Sequence, residues 1–400
     1  MKVCAINTDD SRGGAAKIAS LLNSELNNSD LPVTSRLFHC GNARKNTQSV
    51  GLRRFASRQV NAGLFRSTGG RLLFDFGVSR TILTQASGFD IVHLHNLHGY
   101  YIDYKHLLLN LRDRPIVWTW HDMWGATGRC GFSFSCEGWK TGCKRCPHLD
   151  YYPSTWHDRA ADEYSEKSTL FMNHPNLTIV SPSQWLSEIA IQRGYSRDSV
   201  LTIPNPVDLQ LFTLLDKTRT RLQLGLDPDA FYLLFVAADC NDVRKGFGDF
   251  RRIVSQLGVR GIAVGEPPRT SCSGILHTGR VNDTKVLNQY YCAADAFVMT
   301  SSIDNYPNTV IEAQACGTPV FGYNVGGVPE QMPEFWPGTI NSRDPDELIS
   351  SVRLWIENRS TNDGLAGRLR DFAISNWSPR KVATSYAEVY DNALSKPDAR

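Results

Sequence analysis

Short apolar runs alternate with segments of helical periodicity along the first half of the chain. The predicted strands, each a short apolar run, are 2–7, 90–95, 115–120 and 177–180. A polar turn ending at Gly14 separates the first strand from a helix over 15–26, and another helix begins near Trp185. Strands that alternate with helices predict a parallel sheet with helices on both faces, which binds ligands beyond the carboxyl ends of its strands.

Two prolines, Pro204 and Pro206, interrupt this alternation and mark a linker over 203–208. A second series of buried strands follows, at 231–238, 261–265, 296–299 and 319–322. A final helix is predicted over 379–394, and its apolar stripe consists of Tyr386, Val389, Tyr390 and Leu394. The second series, together with a length of 400 residues, predicts two α/β domains rather than one.

Composition narrows the class of protein further. The hydrophobic fraction of 41% and the charged fraction of 21% are those of a folded globular protein. The start of the chain resembles a buried strand and a polar loop rather than a signal peptide, so we expect a cytoplasmic protein with mostly reduced cysteines. A net charge of +3 is too small to require a nucleic-acid partner.

Positive charge is nevertheless concentrated in one segment, because no acidic residue lies between Asp30 and Asp75. The basic residues there are Arg36, Arg44, Lys45, Arg53, Arg54, Arg58, Arg66 and Arg71. On a helix over 50–66, the apolar residues Leu52, Phe55, Ala56, Val60 and Leu64 share one face and arginines the other. This pattern predicts peripheral contact with an anionic membrane, although an ordinary helix with a solvated basic face fits the same pattern.

Candidate chemistry is densest between Ala294 and Glu330. A strand there ends in a loop that carries Asp304, and a helix is predicted to begin near Thr309, with Asn308 as its N-cap and Glu312 in its first turn. The first amides of such a helix suit a diphosphate, and carboxylates accept hydrogen bonds from vicinal sugar hydroxyls. An ordinary loop aspartate followed by a helix-terminal acid fits the pair equally well.

This stretch resembles the signature of the retaining glycosyltransferases of family 4, which have the GT-B fold. The resemblance is carried by Asp304 and Glu312, followed by Ala313, Cys316, Gly317, Pro319, Val320, Gly326, Gly327 and Glu330. It implies two Rossmann-like domains whose parallel sheets face each other across a cleft. It also implies that Glu312 holds the ribose of a nucleotide and that Asp304, which stands where the family has Glu, faces the transferred sugar.

Other matches extend the resemblance over nearly the whole chain. They are Gly13-Gly14 after the first strand, His121 after the strand 115–120, the segment from Asn205 to Phe212, and Arg244-Lys245-Gly246. The resemblance implies that Lys245 binds the donor diphosphate and that His121 lies near the reacting carbon. The family often has a second arginine six residues before that lysine. Asp239 occupies this position here, so Arg244 is the candidate for the second phosphate cation.

The resemblance implies a domain of residues 1–205 on the acceptor side, a donor-binding domain of residues 206–378, and a helix over 379–400 that returns to the first domain. The segment from Trp120 to Cys130 is similar to bacterial exopolysaccharide transferases of the colanic-acid type. The implied function is the transfer of a sugar from a nucleotide-diphosphate donor to a glycan or to a lipid-diphosphate-linked acceptor.

We expect catalysis to need no metal, because protein cations can stabilise the leaving diphosphate. The two D-x-D patterns, at 227–229 and 344–346, are typical of proline turns rather than metal clamps. Two rival functions remain at this point: a nucleotide-sugar epimerase of the same fold, and a non-enzymatic protein that binds zinc or nucleic acid. Release of free epimerised sugar would favour the first rival, and salt-sensitive retention of nucleic acid the second.

Four of the ten cysteines form a group that we call the cysteine cluster: Cys130, Cys136, Cys143 and Cys146. The last two flank a C-x-x-C turn, the common half of a zinc site, whereas the first two are spaced more widely than is usual. In a reducing compartment such thiols are more often zinc ligands than disulfides. The spacing therefore predicts a structural zinc ion, with free or paired thiols as the alternative.

Overall fold

The computed structural model of the chain describes residues 1–40, 47–49, 54–69, 77–270, 272–336, 338–340, 343–358 and 364–395. The chain divides into two compact units. The first consists of Met1–Pro204 and the segment from Arg380 onward, and the second is Asn205–Pro379. These bounds lie within one residue of 205 and 379, the ends expected from the sequence.

The first unit contains a parallel sheet of seven strands among the described residues. They are β1 (Lys2–Ile6), β2 (Thr34–His39), β3 (Thr47–Ser49), β4 (Ile91–Leu94), β5 (Ile116–Thr119), β6 (Leu177–Ser181) and β7 (Val200–Thr202), in the spatial order β3-β2-β1-β4-β5-β6-β7. The helices between them are α1 (Gly14–Asn28), α2 (Arg54–Thr68), α3 (Val78–Ala86), α4 (Tyr104–Leu109), α5 (Ala160–Lys167) and α6 (Gln184–Arg193). A π-helical turn, Ser168–Met172, extends α5.

The second unit repeats this architecture with six parallel strands. They are β8 (Tyr232–Asp239), β9 (Arg260–Glu266), β10 (Ile275–Gly279), β11 (Ala296–Met299), β12 (Val320–Tyr323) and β13 (Thr339–Ile340), in the order β10-β9-β8-β11-β12-β13. Its helices are α7 (Lys217–Gln223), α8 (Phe247–Leu257), α9 (Thr284–Ala293), α10 (Asn308–Ala315), α11 (Pro345–Glu357) and α12 (Leu365–Trp377). The last helix of the chain is α13 (Pro379–Ser395).

The central strands of both sheets are mostly apolar because helices cover both faces. Every residue of β4, β5 and β11 is buried, so apart from His93 and Thr119 these strands appear in the sequence as apolar runs. Five shorter or more polar strands lack this pattern and were not predicted from the sequence: β2, β3, β7, β10 and β13. In β2, for example, buried and exposed residues alternate at the start, with Ser35 buried and Arg36 exposed.

Helix α13 packs against the sheet of the first unit. Val382, Tyr386 and Tyr390 share one apolar cluster with residues of α1, β1, β4, β5 and β6. The tyrosine hydroxyls also reach strand residues: Tyr386 bonds Thr119 and Tyr390 bonds His93 Nδ1, both at 2.8 Å. Of the predicted apolar stripe, Leu394 alone is not buried, with 41% of its surface exposed.

Part of the predicted membrane-binding helix lies outside the described residues. Residues 50–53 are not described, and neither are the side chains of residues 54–58 at the start of α2. Farther along α2, Val60 is exposed, whereas Asn61 is buried and donates a hydrogen bond to the carbonyl oxygen of Tyr100. In the described part of the chain, every helix is too short or too polar to span a membrane.

Candidate functional site

Asp304 lies in the loop between β11 and α10, where two cations meet its carboxylate. Lys245 Nζ is 2.6 Å and Arg244 Nη1 3.1 Å from Asp304 Oδ2. Burial raises the pKa of Asp304, but Lys245 and Arg244 together bring it below its usual value. Asp304 is therefore an anion at neutral pH, and its one negative charge pairs with both of the cations predicted to bind a diphosphate.

The loop after β8 holds these cations through backbone contacts with the end of β11. Lys245 ends a short 3-10 helix, Val243–Lys245, and the next residue, Gly246, has a φ of 69°. A Cβ atom on Gly246 would lie 2.1 Å from the carbonyl oxygen of Thr300, so only glycine allows the two loops to approach. Ser302 N–H donates to the carbonyl of Arg244 at 2.8 Å, which fixes the cations beside Asp304.

The glycine pair Gly326-Gly327 supports the same loop from the other side. Gly326 has a φ of 55°, and a Cβ atom there would lie 1.8 Å from the carbonyl oxygen of Asp304. Gly327 N–H donates a 2.9 Å hydrogen bond to the carbonyl of Asn305. The backbone of the glycine pair therefore lies directly against the backbone that carries Asp304.

The start of α10 differs from the prediction. The N-cap is Pro307, and Asn308 is the first residue of the helix rather than its cap. The Asn308 side-chain oxygen accepts instead from Asn205 Nδ2 at 3.0 Å. This hydrogen bond connects the segment 203–208, predicted as a linker, to the helix. Asn308 and Thr309 still form the first turn of α10, where the positive end of the helix dipole lies.

Glu312 is also placed differently from the prediction, because α10 begins at Asn308 and so puts Glu312 beyond the first turn. Its side chain is 7% exposed, and its Oε2 accepts a hydrogen bond from the Tyr291 hydroxyl at 2.9 Å. Burial, together with Glu312, raises the pKa of Tyr291 well above its ordinary value, so the phenol stays a donor. Tyr291 therefore fixes the position of the Glu312 carboxylate.

In the first unit, four polar residues meet where β4 and β5 end. His121 Nε2 is 2.9 Å from His95 Nδ1, and their rings stack at a centroid distance of 5.2 Å. Asp122 Oδ2 is 2.9 Å from His98 Nε2. Burial lowers the pKa of His121 to about 4, so its imidazole is neutral at physiological pH.

His95 and His98 are site residues that the sequence reasoning did not connect with His121. A signal was present, because both follow the carboxyl end of β4 just as His121 and Asp122 follow β5, and the two strands are neighbours. His93, in contrast, points into the core: Thr119 and Tyr390 occupy its two ring nitrogens. Among the described residues, His93, His95 and His98 do not belong to any group that could hold a metal ion.

Gly13 and Gly14 begin α1 at the same edge of the first sheet. Gly13 is the N-cap of the helix and has a φ of 91°, a value that favours glycine. A Cβ atom at Gly13 would meet no other atom within 4 Å, so the backbone there is open to a ligand.

The cysteine cluster surrounds one cavity of about 20 Å³, and all four of its members have free thiols. Backbone N–H groups of Gly128 and Gly138 donate to the sulfurs of Cys143 and Cys136. Within the described residues, however, no group of three or more His, Cys, Asp or Glu side chains is arranged to hold a metal ion. Burial raises the pKa of Cys130 to about 11 without a metal, so zinc binding there would have to release the thiol proton.

Two family descriptions together match most of the chain. Residues 13–211 match "Glycosyltransferase Family 4", and residues 231–358 match "Glycosyl transferases group 1". The chain is a family 4 glycosyltransferase of the GT-B fold. The enzyme is thus a transferase, as its sequence motifs predict.

The chain is also similar to a curated relative and, in its fold, to solved structures. It is 26% identical over 348 residues to the putative colanic acid biosynthesis glycosyl transferase WcaC of Escherichia coli K12, covering 83% of this chain and 84% of the relative. Sucrose-phosphate synthase from Thermosynechococcus elongatus has a similar fold, with a TM-score of 0.74, 16% identity, and coverage of 99% and 100%. HepE from Anabaena, solved with UDP-glucose, has a TM-score of 0.69, 15% identity, and coverage of 98% and 100%.

Proposed function

We propose that this glycosyltransferase transfers a sugar, with retention of the anomeric configuration, from a nucleotide-diphosphate donor to a glycan or lipid-linked acceptor. The observation that carries the proposal is the cluster of Arg244, Lys245 and Asp304 at the carboxyl edge of the second sheet. Ligands of parallel α/β sheets bind at this edge. Two cations beside a helix start suit a diphosphate group.

The first step in this proposal is donor binding. Without a donor, Asp304 pairs with both Lys245 and Arg244, so a bound diphosphate competes with the carboxylate for these cations. Where the diphosphate takes a cation, Asp304 can accept hydrogen bonds from hydroxyls of the donor sugar instead. In this way the ion pairs keep the cations positioned before the donor arrives.

The leaving group is the second requirement. As the glycosidic bond breaks, negative charge grows on the diphosphate, and fixed cations lower the energy of that state more than that of the bound donor. Thr300 Oγ1 donates to the carbonyl of Lys245 at 3.1 Å and Ser302 N–H to that of Arg244 at 2.8 Å, so the backbone that carries both cations is fixed. The first turn of α10, at Asn308 and Thr309, adds the positive end of a helix dipole.

Recognition of the nucleotide falls to Glu312. Its carboxylate is nearly buried and is held by Tyr291, so it is preorganised to accept hydrogen bonds from the two hydroxyls of a ribose. In the first unit, the neutral imidazole of His121 can donate or accept one hydrogen bond without adding charge.

The acceptor side of the proposal draws on the relatives. WcaC is named for colanic acid biosynthesis, and HepE was solved with UDP-glucose. We infer that this enzyme takes a nucleotide sugar and acts in the assembly of a surface polysaccharide. A lipid-linked acceptor would place the enzyme at the inner face of a membrane, where the basic helix predicted over 50–66 would meet anionic lipid.

A donor panel tests this function directly. The full chain is incubated with radiolabelled UDP-, GDP-, ADP- and dTDP-sugars and with lipid-linked saccharide acceptors, and the anomeric configuration of the product is measured by NMR. Transfer with retention supports the proposal. Transfer with inversion, or release of free epimerised sugar with no transfer, contradicts it.

Glu312→Gln tests the site. It removes the charge but keeps the shape, and loss of a charged hydrogen bond of about 1.5–3 kcal/mol should lower kcat/KM by about ten- to 150-fold. Glu357→Gln, at the end of α11 on the surface, is the matched control and should keep full activity. Equal activity of the two variants would show that Glu312 does not bind the donor.

A further inference from the structure

Two buried thiols lie next to each other in the core of the second unit. Cys292 is in α9, Cys316 ends α10, and both belong to one apolar cluster, where they are 5% and 3% exposed. The side-chain oxygen of Asn288 is 2.9 Å from Cys316 Sγ and 3.8 Å from Cys292 Sγ. The two thiols also share a hydrogen bond with each other, and both are free. Their sulfurs are therefore neighbours without being bonded.

The surroundings of Cys292 favour its thiolate. The hydrogen bond with Cys316 is the largest cause that lowers the pKa of Cys292 below its ordinary value. The backbone N–H of Leu215 also donates to the Cys292 sulfur, and nearby positive charge comes from Lys217 and Arg370. Burial instead raises the pKa of Cys316 well above its ordinary value. A thiolate is the reactive form of cysteine, so Cys292 is the nucleophile of the pair and Cys316 its neutral partner.

Cys292 lies below a surface loop that a small molecule can pass. Its Sγ is 3.2 Å from the carbonyl oxygen of Thr213, and the next two residues, Leu214 and Leu215, are 42% and 40% exposed. Residues 203–216, all of them described, form neither helix nor strand. Loops open at a lower cost in free energy than core elements do, so a molecule as small as hydrogen peroxide can reach this sulfur.

The thiol pair is connected to Glu312 from both sides. The backbone N–H of Cys316 donates to the carbonyl oxygen of Glu312 at 3.1 Å. On α9, Cys292 directly follows Tyr291, whose hydroxyl holds the Glu312 carboxylate at 2.9 Å. A disulfide would bring the two sulfurs to about 2.05 Å, which is much closer than two thiols in contact. Because a close-packed core transmits such a movement, the disulfide would shift Glu312 relative to Tyr291.

We propose that Cys292 and Cys316 are an oxidative modification site, at which a hydroperoxide forms a disulfide that displaces Glu312 and weakens donor binding. The effect on the donor rests on the proposed function, whereas formation of the disulfide does not. Disulfides in reducing compartments are usually transient and sense oxidants, and a reversible loss of donor binding would serve that purpose.

The reaction proceeds in two steps. The Cys292 thiolate attacks one oxygen of hydrogen peroxide, so that an S–O bond forms, the O–O bond breaks, and the leaving hydroxide takes a proton to become water. The Cys316 sulfur then attacks the Cys292 sulfur, so that the S–S bond forms and the S–O bond breaks. The second hydroxide leaves with the Cys316 proton as water. Two thiols and one peroxide thus give one disulfide and two waters, and a dithiol reverses the change by thiol–disulfide exchange.

The experiment treats the reduced full chain with hydrogen peroxide, blocks the remaining thiols by alkylation, and maps linked peptides by mass spectrometry. Isothermal titration calorimetry then measures affinity for the best nucleotide sugar of the donor panel. We expect a Cys292–Cys316 peptide and at least tenfold weaker donor binding, and dithiothreitol should restore the affinity. Cys292→Ser, compared with its own reduced form, should lose no affinity after the same treatment.

Cys272→Ser is the matched control. Cys272 is near Cys240, so this variant removes one member of another thiol pair in the second unit, and it should lose donor affinity on oxidation as the wild type does. Cys316→Ala removes the second thiol and should protect donor binding, which keeps the proposal testable if Cys292→Ser does not fold. Circular dichroism melts check the folding of each variant.

Two outcomes would overturn the proposal by themselves: no peptide linking the two cysteines after peroxide treatment, or a linked peptide with unchanged donor affinity. A reduced chain that binds none of the nucleotide sugars would instead contradict the proposed function. Amide hydrogen exchange of the peptide that contains Glu312 would then decide the matter. A change in exchange on disulfide formation supports the displacement, and unchanged exchange overturns it.

Discussion

Replacing Lys245 with methionine is the most direct test of the donor site. The variant keeps most of the side-chain length and removes the ammonium group that lies 2.6 Å from Asp304 Oδ2. Arg244 remains 3.1 Å from the same oxygen, so the carboxylate keeps one cation. The change therefore removes charge from the site without leaving a buried anion alone.

Two separate magnitudes follow from this geometry. The side chains of Lys245 and Asp304 are 21% and 10% exposed, and breaking a buried pair costs about 3–5 kcal/mol when no other partner remains. Because Arg244 still pairs with Asp304, we expect Lys245→Met to lower the free energy of unfolding by only about 1–2 kcal/mol. Donor affinity should fall by about 1.5–3 kcal/mol, or about ten- to 150-fold in Kd.

The chain offers a matched control for this variant. Asp295 also binds a lysine and an arginine, with Lys217 Nζ at 3.0 Å and Arg221 Nη2 at 2.7 Å. Asp295 precedes β11, whereas Asp304 follows that strand, so the two ion-pair groups lie at opposite edges of the sheet. Lys217→Met should lower stability by at most about 1 kcal/mol and leave donor binding unchanged.

Urea unfolding gives the stability of each variant, and isothermal titration calorimetry with the best nucleotide sugar of the panel gives donor affinity. If Lys245→Met bound the donor as tightly as Lys217→Met does, the assignment of the diphosphate to this cluster would be wrong.

Three further predictions concern the rest of the molecule. Burial lowers the pKa of His93 to about 3, from about 6.5 in the unfolded chain. The free energy of unfolding should therefore fall by up to about 1.4 kcal/mol per pH unit as the pH drops between these two pKa values. His93→Gln should reduce this pH dependence in urea unfolding measured at a series of pH values. The four thiols of the cysteine cluster are not arranged for a metal ion among the described residues, so the predicted zinc would have to draw them together. Elemental analysis of protein purified under reducing conditions should find about one zinc ion per chain, and a zinc-free wild type would refute this prediction. Anionic vesicles should sediment more protein than neutral vesicles, and Arg54→Glu and Arg58→Glu should each weaken binding by about 1 kcal/mol. Equal sedimentation with both kinds of vesicle would contradict the predicted membrane contact.

Much of the fold could be predicted because the central strands are buried on both faces. The strands β4, β5 and β11 are apolar at every position or nearly so, and they begin and end within one or two residues of the predictions. Strand β7 could not be found in this way, because it has three residues and Leu201 is 38% exposed. A short edge strand is specified by its pairing with a neighbour, and a local apolar pattern does not record that pairing.

The site shows a similar limit. The resemblance to family 4 implies roles for Asp304 and Glu312, but the start of α10 depends on a distant partner. Asn308 is a favourable N-cap by its chemistry, yet Asn205, more than 100 positions earlier, takes its side-chain oxygen. The ion pair between Lys245 and Asp304 could not be predicted from the sequence either. It depends on how closely Gly246 lets the loop after β8 approach the loop after β11.

The return of α13 to the first sheet has a consequence for how the protein is made. On the ribosome, strands β1 to β7 are complete long before α13 is synthesised, since the whole of Asn205–Pro379 comes between them. Until then the sheet lacks the surface formed by Val382, Tyr386 and Tyr390, and His93 lacks the hydroxyl that bonds its Nδ1.

During synthesis, the first unit is therefore a sheet with an uncovered apolar face while the second unit can already fold around its own core. The unit that begins first is finished last. A chain interrupted before residue 379 would keep every predicted donor-binding residue of the second unit and still expose the apolar face on which α13 packs, a surface that chaperones and proteases recognise in unfinished proteins.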